Sequence, residues 1–186
     1  MTKPYLDSFV LVGGTALALQ IGHRTSIDLD LFTHELFSAA AIYDQLEDEL
    51  RVAEPFVKDK STLLMEIEGI KTDFIRFKYP FQRPIIYSEG VRLLHIEDIA
   101  PMKLDAITGR GKKKDFFDLY FLLQRFSLPQ MLDWYAAMFQ HNTLFHVWKS
   151  LTYFEDAESD GSPLVFDKMV TWEVVKSAIQ KAVAAL

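Results

Sequence analysis

Two short stretches near the start of the chain carry groups that suit phosphate chemistry. The first is Gly13-Gly14-Thr15, which follows a short apolar run, and the second is the pair Asp28 and Asp30. Residues two apart on a strand point to the same face of a sheet, so the two carboxylates are expected to project together. Two carboxylates at close range repel each other, and hard oxygen ligands suit Mg²⁺ or Mn²⁺. The pair therefore predicts a divalent metal site.

The glycine pair predicts a phosphate-binding turn. A helix that begins at Gly13 and Gly14 would present backbone N–H groups and the positive end of its dipole to an anion. Glycine permits close approach because it has no side chain, and Thr15 would add its own N–H and hydroxyl. Either motif alone is typical of a turn or a solvated strand edge. In the order strand, glycines, helix, strand they favour metal-assisted phosphoryl or nucleotidyl transfer.

The hydrophobic pattern predicts the elements that must position these residues. A strand at residues 27–32 is expected to turn Ile27, Leu29 and Leu31 to the core. Glu68-Gly69 has the composition of a hairpin turn. The other predicted strands span residues 8–12, 56–57, 63–67, 70–77 and 91–94. The predicted helices span residues 15–21, 38–51 with Ser38 as the cap, 96–108, 115–126, 128–140, 142–154 and 171–186, with an exposed loop at 155–163.

This pattern predicts an α+β fold. A small mixed β-sheet with flanking helices is expected over residues 1–95, followed by a helical bundle, residues 96–186, packed on that α/β core. The 186 residues are 49% apolar, which excludes intrinsic disorder. No cysteine is present, so disulfides and thiolate metal sites are excluded.

Charge and hydropathy narrow the class of partner. The net charge of −6 argues against a protein that coats nucleic acid non-specifically, so any such contact must come from a local patch. The first residues lack a signal-peptide pattern and the apolar runs are too short to span a bilayer. We therefore expect a soluble, cytoplasmic protein without membrane contact.

Six motifs together resemble one protein family. Residues 13–19 (GGTALAL), 22–26 (GHRTS), 28–32 (DLDLF), 71–73 (KTD), 102–105 (MKLD) and 114–119 (KDFFDL) are similar to motifs of the AbiEii/AbiGii toxin family. That family is a branch of the DNA polymerase beta superfamily of nucleotidyltransferases. Its members are nucleotidyltransferase-like toxins of toxin–antitoxin and phage-defence systems. The resemblance covers roughly residues 9–126.

The resemblance implies a function and a set of site residues. It adds Asp73 as a third carboxylate, so that Asp28, Asp30 and Asp73 would be the catalytic, metal-binding residues. The implied reaction is metal-dependent transfer of a nucleoside monophosphate from an NTP to an acceptor hydroxyl, on tRNA or another RNA. A cognate antitoxin is the implied protein partner. The alternative is a degenerate nucleotidyltransferase fold that binds a nucleotide or a partner without catalysis. Nucleotide contacts are expected from Gly13, Gly14, Thr15, Lys71, Lys103 and Asp115.

Several of these residues keep a second interpretation. Lys71 shares a face with Asp73 and either contacts phosphate or orients that carboxylate, or it is a solvated charge. Lys103 either extends to solvent or reaches into a cleft. Asp115 is also a plausible helix cap, with Asp118 three residues later. Arg24 is expected to pair with Asp28 or Asp30 or to contact phosphate. The basic residues 110–114 form either an RNA contact or a solvated linker.

Overall fold

The structure, a computed structural model, describes residues 3–140 and 144–186. Within them the chain divides into two compact units: residues 1–16 with 26–95, and residues 17–25 with 96–186. The first unit contains the sheet. The predicted α+β fold, with a mixed sheet followed by helices, is confirmed.

The first unit is built on a mixed sheet. Over the described residues it has seven strands in the order β3-β4-β5-β2-β1-β7-β6. The central pair β2 and β5 is parallel, while β1 and β4, which flank that pair, run antiparallel to β2 and β5 respectively. The strands are β1 (Val10–Val12), β2 (Leu29–Thr33), β3 (Val57–Lys58), β4 (Thr62–Ile67), β5 (Ile70–Arg76), β6 (Ile86–Ser88) and β7 (Val91–Leu93).

The two faces of the sheet differ in polarity because side chains alternate along each strand. Leu31, Thr72 and Phe74 are buried on one face. Phe9 packs edge-on against Phe74 on that side, with ring centroids 5.3 Å apart. Asp30 and Asp73, which alternate with these buried residues along β2 and β5, lie on the opposite face. The alternation therefore sets the carboxylates on the face that is not the core.

The helices begin with α1 directly after β1. They are α1 (Gly13–Ile21), α2 (Ala39–Glu47), α3 (Ile96–Gly109), α4 (Lys113–Leu123), α5 (Leu128–Phe139), α6 (Phe145–Leu151), α7 (Glu155–Glu158) and α8 (Trp172–Ala184). Ser38 caps α2 as predicted, because its hydroxyl accepts a hydrogen bond from the Ala41 N–H at 3.2 Å. The predicted helix start at Asn142 lies outside the described residues.

An aromatic core holds the second unit together. The indole of Trp172 on α8 stacks on Phe117 of α4 with ring centroids 5.9 Å apart. Phe116 and Phe154 pack edge-on or tilted around the same indole. Burial of such rings accounts for the aromatic sequence of α4.

Three predicted features differ from the structure. Ile27 precedes β2 and is 70% exposed, so the core-facing alternation begins only after it. β6 was absent from the predicted strands because Pro84 stands just before it and the run is short. The predicted loop at residues 155–163 opens with the short helix α7, whose Ala157 is fully buried.

No helix among the described residues is both long and apolar enough to cross a membrane.

Candidate active site

Gly13 stands where the first strand turns into α1, against a carboxylate. Its φ of +66° is in the left-handed region, which favours glycine. A Cβ at this position would lie 2.3 Å from Oδ2 of Asp30. Asp30 therefore lies directly against the N-terminus of α1, where the helix dipole favours negative charge. Both the backbone and the neighbouring carboxylate require glycine here.

Asp30 and Asp73 face each other across the central parallel strands. The β2–β5 register pairs Asp30 with Asp73, and Val12 of β1 is paired with Asp30 on its other side. Asp28 comes just before β2, and one further step of the register sets it opposite Lys71. Two of the three carboxylates predicted to act together thus lie on adjacent strands, Asp30 on β2 and Asp73 in the middle of β5, and Asp28 directly precedes β2.

Lys71 is the cation of this group. Its Nζ donates to Oδ2 of Asp73 at 2.6 Å, which confirms that the two side chains share a face. Partial burial alone would lower the pKa of Lys71. The hydrogen bond and charge of Asp73, with the charges of Asp30 and Asp28, outweigh that effect and raise the pKa. Lys71 is therefore held protonated beside all three carboxylates.

The second oxygen of Asp73 is buried. Among the described residues Oδ1 has no hydrogen-bonding partner, although the Asp73 side chain is only 11% exposed. A buried acceptor left unsatisfied costs on the order of 1–3 kcal/mol. An oxygen of this kind, beside a second carboxylate, fits a hard divalent cation or a donated proton.

The described residues nevertheless contain no group of three or more histidine, aspartate or glutamate side chains already arranged to hold a metal ion. One oxygen of Asp73 accepts a hydrogen bond from Lys71. For that oxygen to bind a metal ion, the contact with Lys71 would have to loosen, or the oxygen would have to contact both. The donor chemistry fits Mg²⁺ or Mn²⁺, and the three-carboxylate metal site stays a prediction.

Thr15 uses its hydroxyl within the protein. The hydroxyl oxygen contacts the backbone carbonyl of Asp28 and lies 2.9 Å from the hydroxyl of Ser26. A carbonyl can only accept, so Thr15 donates to Asp28 and Ser26 donates to Thr15. Thr15 thereby fixes the segment that enters β2, which leaves its backbone N–H as the group for the predicted phosphate contact.

A second cluster of charges lies within the second unit, centred on Asp118. Arg24 donates to both carboxylate oxygens, from Nε at 2.6 Å and from Nη2 at 2.8 Å. Nε2 of His23 lies 2.7 Å from Oδ1, and Nζ of Lys103 lies 2.7 Å from Oδ2. The Asp118 side chain is fully buried.

Asp115 extends this cluster by one helical turn. Nζ of Lys103 donates to it at 3.0 Å, and Arg110 contacts it from Nε and Nη2 at 3.0 and 3.2 Å. Lys103 thus bridges two carboxylates, and its side chain is only 5% exposed. It neither extends to solvent nor stands unpaired.

The pKa values of this cluster are strongly displaced. Burial alone would raise the pKa of Asp118, but Lys103, Arg24 and His23 hold it far below its usual range. The pKa of Asp115 is also lowered: burial alone would raise it, but Lys103 and Arg110 outweigh that effect. Burial would lower the pKa of Lys103, but the charges of Asp118 and Asp115 raise it. All three groups are therefore ionised over the neutral range.

The cluster alters three interpretations. Arg24 pairs with Asp118, a partner that the sequence did not suggest. Asp115 is not a helix cap, because α4 begins at Lys113 with Lys112 as its N-cap residue. The basic residues 110–114 are not simply a solvated linker, since Nζ of Lys113 donates to the backbone carbonyls of Asp160 and Glu158 at 2.6 and 3.1 Å.

Neither a role for His23 nor the contacts of Asp118 were predicted from the sequence. Both stand within matched motifs, residues 22–26 and 114–119, so a signal was present. The motifs themselves did not show that they contact each other, because His23 and Asp118 are separated by 95 positions in the sequence.

Comparison with known proteins identifies the family. A family model described as the nucleotidyltransferase AbiEii toxin of type IV toxin–antitoxin systems matches residues 1–90 and 82–171. The chain therefore belongs to this AbiEii family of nucleotidyltransferase toxins, as the motifs predicted. An uncharacterised protein of Aquifex aeolicus (strain VF5), aq_aa25, is 34% identical over 183 residues, which cover 95% of this chain and 87% of that protein.

Solved structures show a similar fold. The crystal structure of a proposed nucleotidyltransferase from H. pylori has a TM-score of 0.59 at 20% identity, over 97% of this chain and 87% of that one. MenT4, a nucleotidyltransferase toxin from Mycobacterium tuberculosis H37Rv, has a TM-score of 0.57 at 16% identity, over 97% of this chain and 76% of that one. At these identities the likeness concerns the fold.

Proposed function

We propose that the first unit carries the transferase centre, with Asp28, Asp30 and Asp73 as its carboxylates. The centre moves a nucleoside monophosphate from an NTP to an acceptor hydroxyl. The observation that carries this proposal is the buried Oδ1 of Asp73, which has no hydrogen-bonding partner among the described residues. Such an oxygen can accept a proton or bind a cation. Asp73 is the register partner of Asp30 on the adjacent strand, and Asp30 lies at the start of α1.

The chain's own groups have distinct tasks in this reaction. Backbone N–H groups at Gly13, Gly14 and Thr15 bind the β- and γ-phosphates at the positive end of the helix. The acceptor oxygen forms a bond to the α-phosphorus as the bond to the bridging oxygen breaks and pyrophosphate leaves. Asp73 accepts the acceptor proton at Oδ1, and Lys71 keeps the other oxygen of that carboxylate in place.

Asp28, Asp30 and Asp73 would hold Mg²⁺ or Mn²⁺. A bound divalent ion supplies charge to offset that of the phosphates. As nucleotide contacts, Lys103 and Asp115 stay predictions from the family resemblance. The acceptor we favour is RNA, with tRNA as the first candidate, and the family supports a cognate antitoxin as a partner.

Replacing Asp73 by Asn tests the transfer reaction. The amide keeps the shape but cannot take a proton, so transfer should fall by about 10²-fold or more. The measurement is incorporation of label from α-³²P-labelled NTPs into total tRNA, in Mg²⁺, in Mn²⁺ and in EDTA. Asp44→Asn, on the exposed side of α2, is the matched control and should keep full activity. Equal activity of the two variants would refute the role of Asp73.

The metal is tested separately by thermal unfolding. Wild type should gain melting temperature when Mg²⁺ or Mn²⁺ is added, because a ligand that binds the native state stabilises it. Asp30→Asn should show little of that gain and should hold its melting temperature in EDTA, since one repelling charge is gone. A lower melting temperature in EDTA together with an unchanged response to metal would mean that Asp30 has a structural role only.

A further inference from the structure

The face that carries the carboxylates continues into a surface of rings and cations. We call it the aromatic–basic patch, and it consists of His34, Arg76, Phe77, Lys78, Tyr79, Phe81 and Arg83. From its geometry we infer that this patch binds an unpaired stretch of nucleic acid and so holds the acceptor strand. The inference rests on the proposed transferase function and adds to it a binding surface for the strand.

The rings of the patch are already arranged as a stack. His34 and Phe81 have ring centroids 4.2 Å apart. Phe77 and Phe81 are nearly parallel, at 21° and 5.9 Å. Phe77 also packs on Phe32 of β2 at 5.3 Å, which ties the stack to the sheet. Bases of any sequence stack on such rings, because every base has a π-face.

Cations alternate with these rings along the chain. Arg76, Lys78 and Arg83 are all exposed, and residues 74–88 contain no acidic side chain. Glu35, next to His34, is the acidic residue nearest to the patch on the β2 side in sequence. A local charge of +3 in a protein of net charge −6 is the kind of patch that a polyanion requires.

Within the patch, Phe77 continues the face of the sheet that carries the carboxylates. Residues two apart on a strand have the same orientation, so Asp73 and Ile75 lie on one face of β5, and Phe77, directly after β5, continues that spacing. On β2 the same face carries Asp30 and then Phe32. At about 3.3 Å per residue, Phe77 lies roughly 13 Å from Asp73 along the strand. A strand that stacks here can reach the carboxylates with its end.

The chemistry favours an unpaired strand over a duplex. Stacking on Phe77, Phe81 and His34 needs exposed base faces, which a duplex keeps within its own stack. A partner protein with an acidic surface would use the cations but would have no need of the stacked rings. Single-stranded RNA and DNA share the required chemistry and are separated by the experiment.

Binding is measured apart from catalysis, by fluorescence anisotropy of labelled 12-nucleotide strands in EDTA and without NTP. Wild type should bind the single strand tighter than a duplex of the same length. RNA and DNA strands are both titrated, and tighter RNA binding would favour an RNA acceptor. Asp73→Asn should bind as wild type does. Wild-type protein that binds the strand but transfers no label would count against the proposed function alone.

The charges are tested by Lys78→Gln/Arg83→Gln. Affinity for the strand should fall about 10-fold at 0.1 M salt, and the slope of log K against log salt should become shallower by about 1.4. Lys58→Gln/Lys60→Gln is the matched control, because Nζ of Lys58 lies over the ring of Tyr43 as Nζ of Lys78 lies over the ring of Tyr79. The control should bind as wild type.

The stack is tested by Phe81→Leu, with Phe56→Leu as the control at an exposed phenylalanine elsewhere in the same unit. Phe81→Leu should lose at least about fivefold in affinity at an unchanged salt slope. Circular dichroism and melting temperature confirm that each variant is folded. No binding by wild type, duplex binding as tight as single-strand binding, or equal losses in variants and controls would overturn the inference.

Discussion

At the scale of single residues, a glycine and a carboxylate lie directly against each other in the candidate site. Asp30 occupies the space that any side chain at Gly13 would need. The sequence predicted glycine here for the approach of a phosphate. The structure adds a second reason, since Asp30 itself needs the room and the backbone has positive φ. The glycine therefore couples the helix start to the carboxylate strand.

Gly13→Ala should destabilise the protein more than Gly22→Ala does. Both glycines have positive φ, +66° and +61°, so both variants lose about 1–2 kcal/mol from the backbone. A Cβ at Gly22 meets nothing within 4 Å, whereas one at Gly13 meets Asp30. The free energy of unfolding from urea titration measures the difference.

A double variant shows whether Asp30 is the cause. Asp30→Ala should recover much of the additional loss in the Gly13→Ala background, as expected for two residues in direct contact. If the two substitutions are simply additive, the contact with Asp30 is not what makes Gly13→Ala costly.

Residue types and spacing predicted part of the site. A period of two fixes which side chains share a strand face, so it paired Asp28 with Asp30 and Lys71 with Asp73, whereas Asp73 itself was predicted from the family resemblance. The hub at Asp118 was not found, because its partners come from a distant loop and helix. Asp115 was given a local explanation, helix capping, which its place inside α4 excludes. Long-range ion pairs leave no periodic signal in one sequence.

At the scale of elements, Asp118 joins three pieces of the second unit. It contacts Arg24 and His23 in the loop after α1, Lys103 on α3, and stands itself on α4. The loop is further fixed by the backbone of residues 164–166, which pairs with residues 23–25. A single buried carboxylate thus satisfies charges from separate parts of the chain.

Asp118→Asn should therefore be strongly destabilising. Removing one partner of a buried ion pair leaves the others uncompensated and costs on the order of 3–5 kcal/mol. Glu158→Gln is the control, an exposed carboxylate that contacts Lys176 at 2.8 Å, and it should cost little because solvent screens that pair. Urea titration of both variants measures the contrast. Similar small losses in both would mean that Asp118 is not a hub of stability.

Element boundaries were predictable where a local signal existed. The hairpin at Glu68-Gly69 formed as predicted, with both residues at positive φ. β6 and α7 were missed because each is too short for a period to show. The positions of β6 and α7 depend on which residues are buried, such as Ala157, and a single sequence does not reveal that burial.

At the scale of the whole molecule, ionisation links the charges to stability. Asp115 and Asp118 have pKa values in the folded chain below the ordinary aspartate value of 3.8. A carboxylate with a depressed folded pKa contributes stability that is present above its unfolded pKa and is lost as the pH falls. The contribution of Lys103 to stability depends on pH in the opposite direction. Because its pKa is raised in the folded chain, that contribution is present below about pH 10.5 and is lost at higher pH.

The free energy of unfolding should therefore be nearly flat from about pH 5 to pH 9 as far as these three groups determine it. Below about pH 3.8 the unfolded chain takes up protons that buried Asp115 and Asp118 do not, so stability falls by about 1.4 kcal/mol per pH unit for each group. Urea titrations between pH 2.5 and pH 10 measure the profile. Asp118→Asn should make the acid slope shallower by one proton, while Asp44→Asn on exposed α2 should leave it unchanged. A steep loss between pH 7 and pH 5 would instead require a group that titrates there, and Asp115 and Asp118 would then not govern the acid limit.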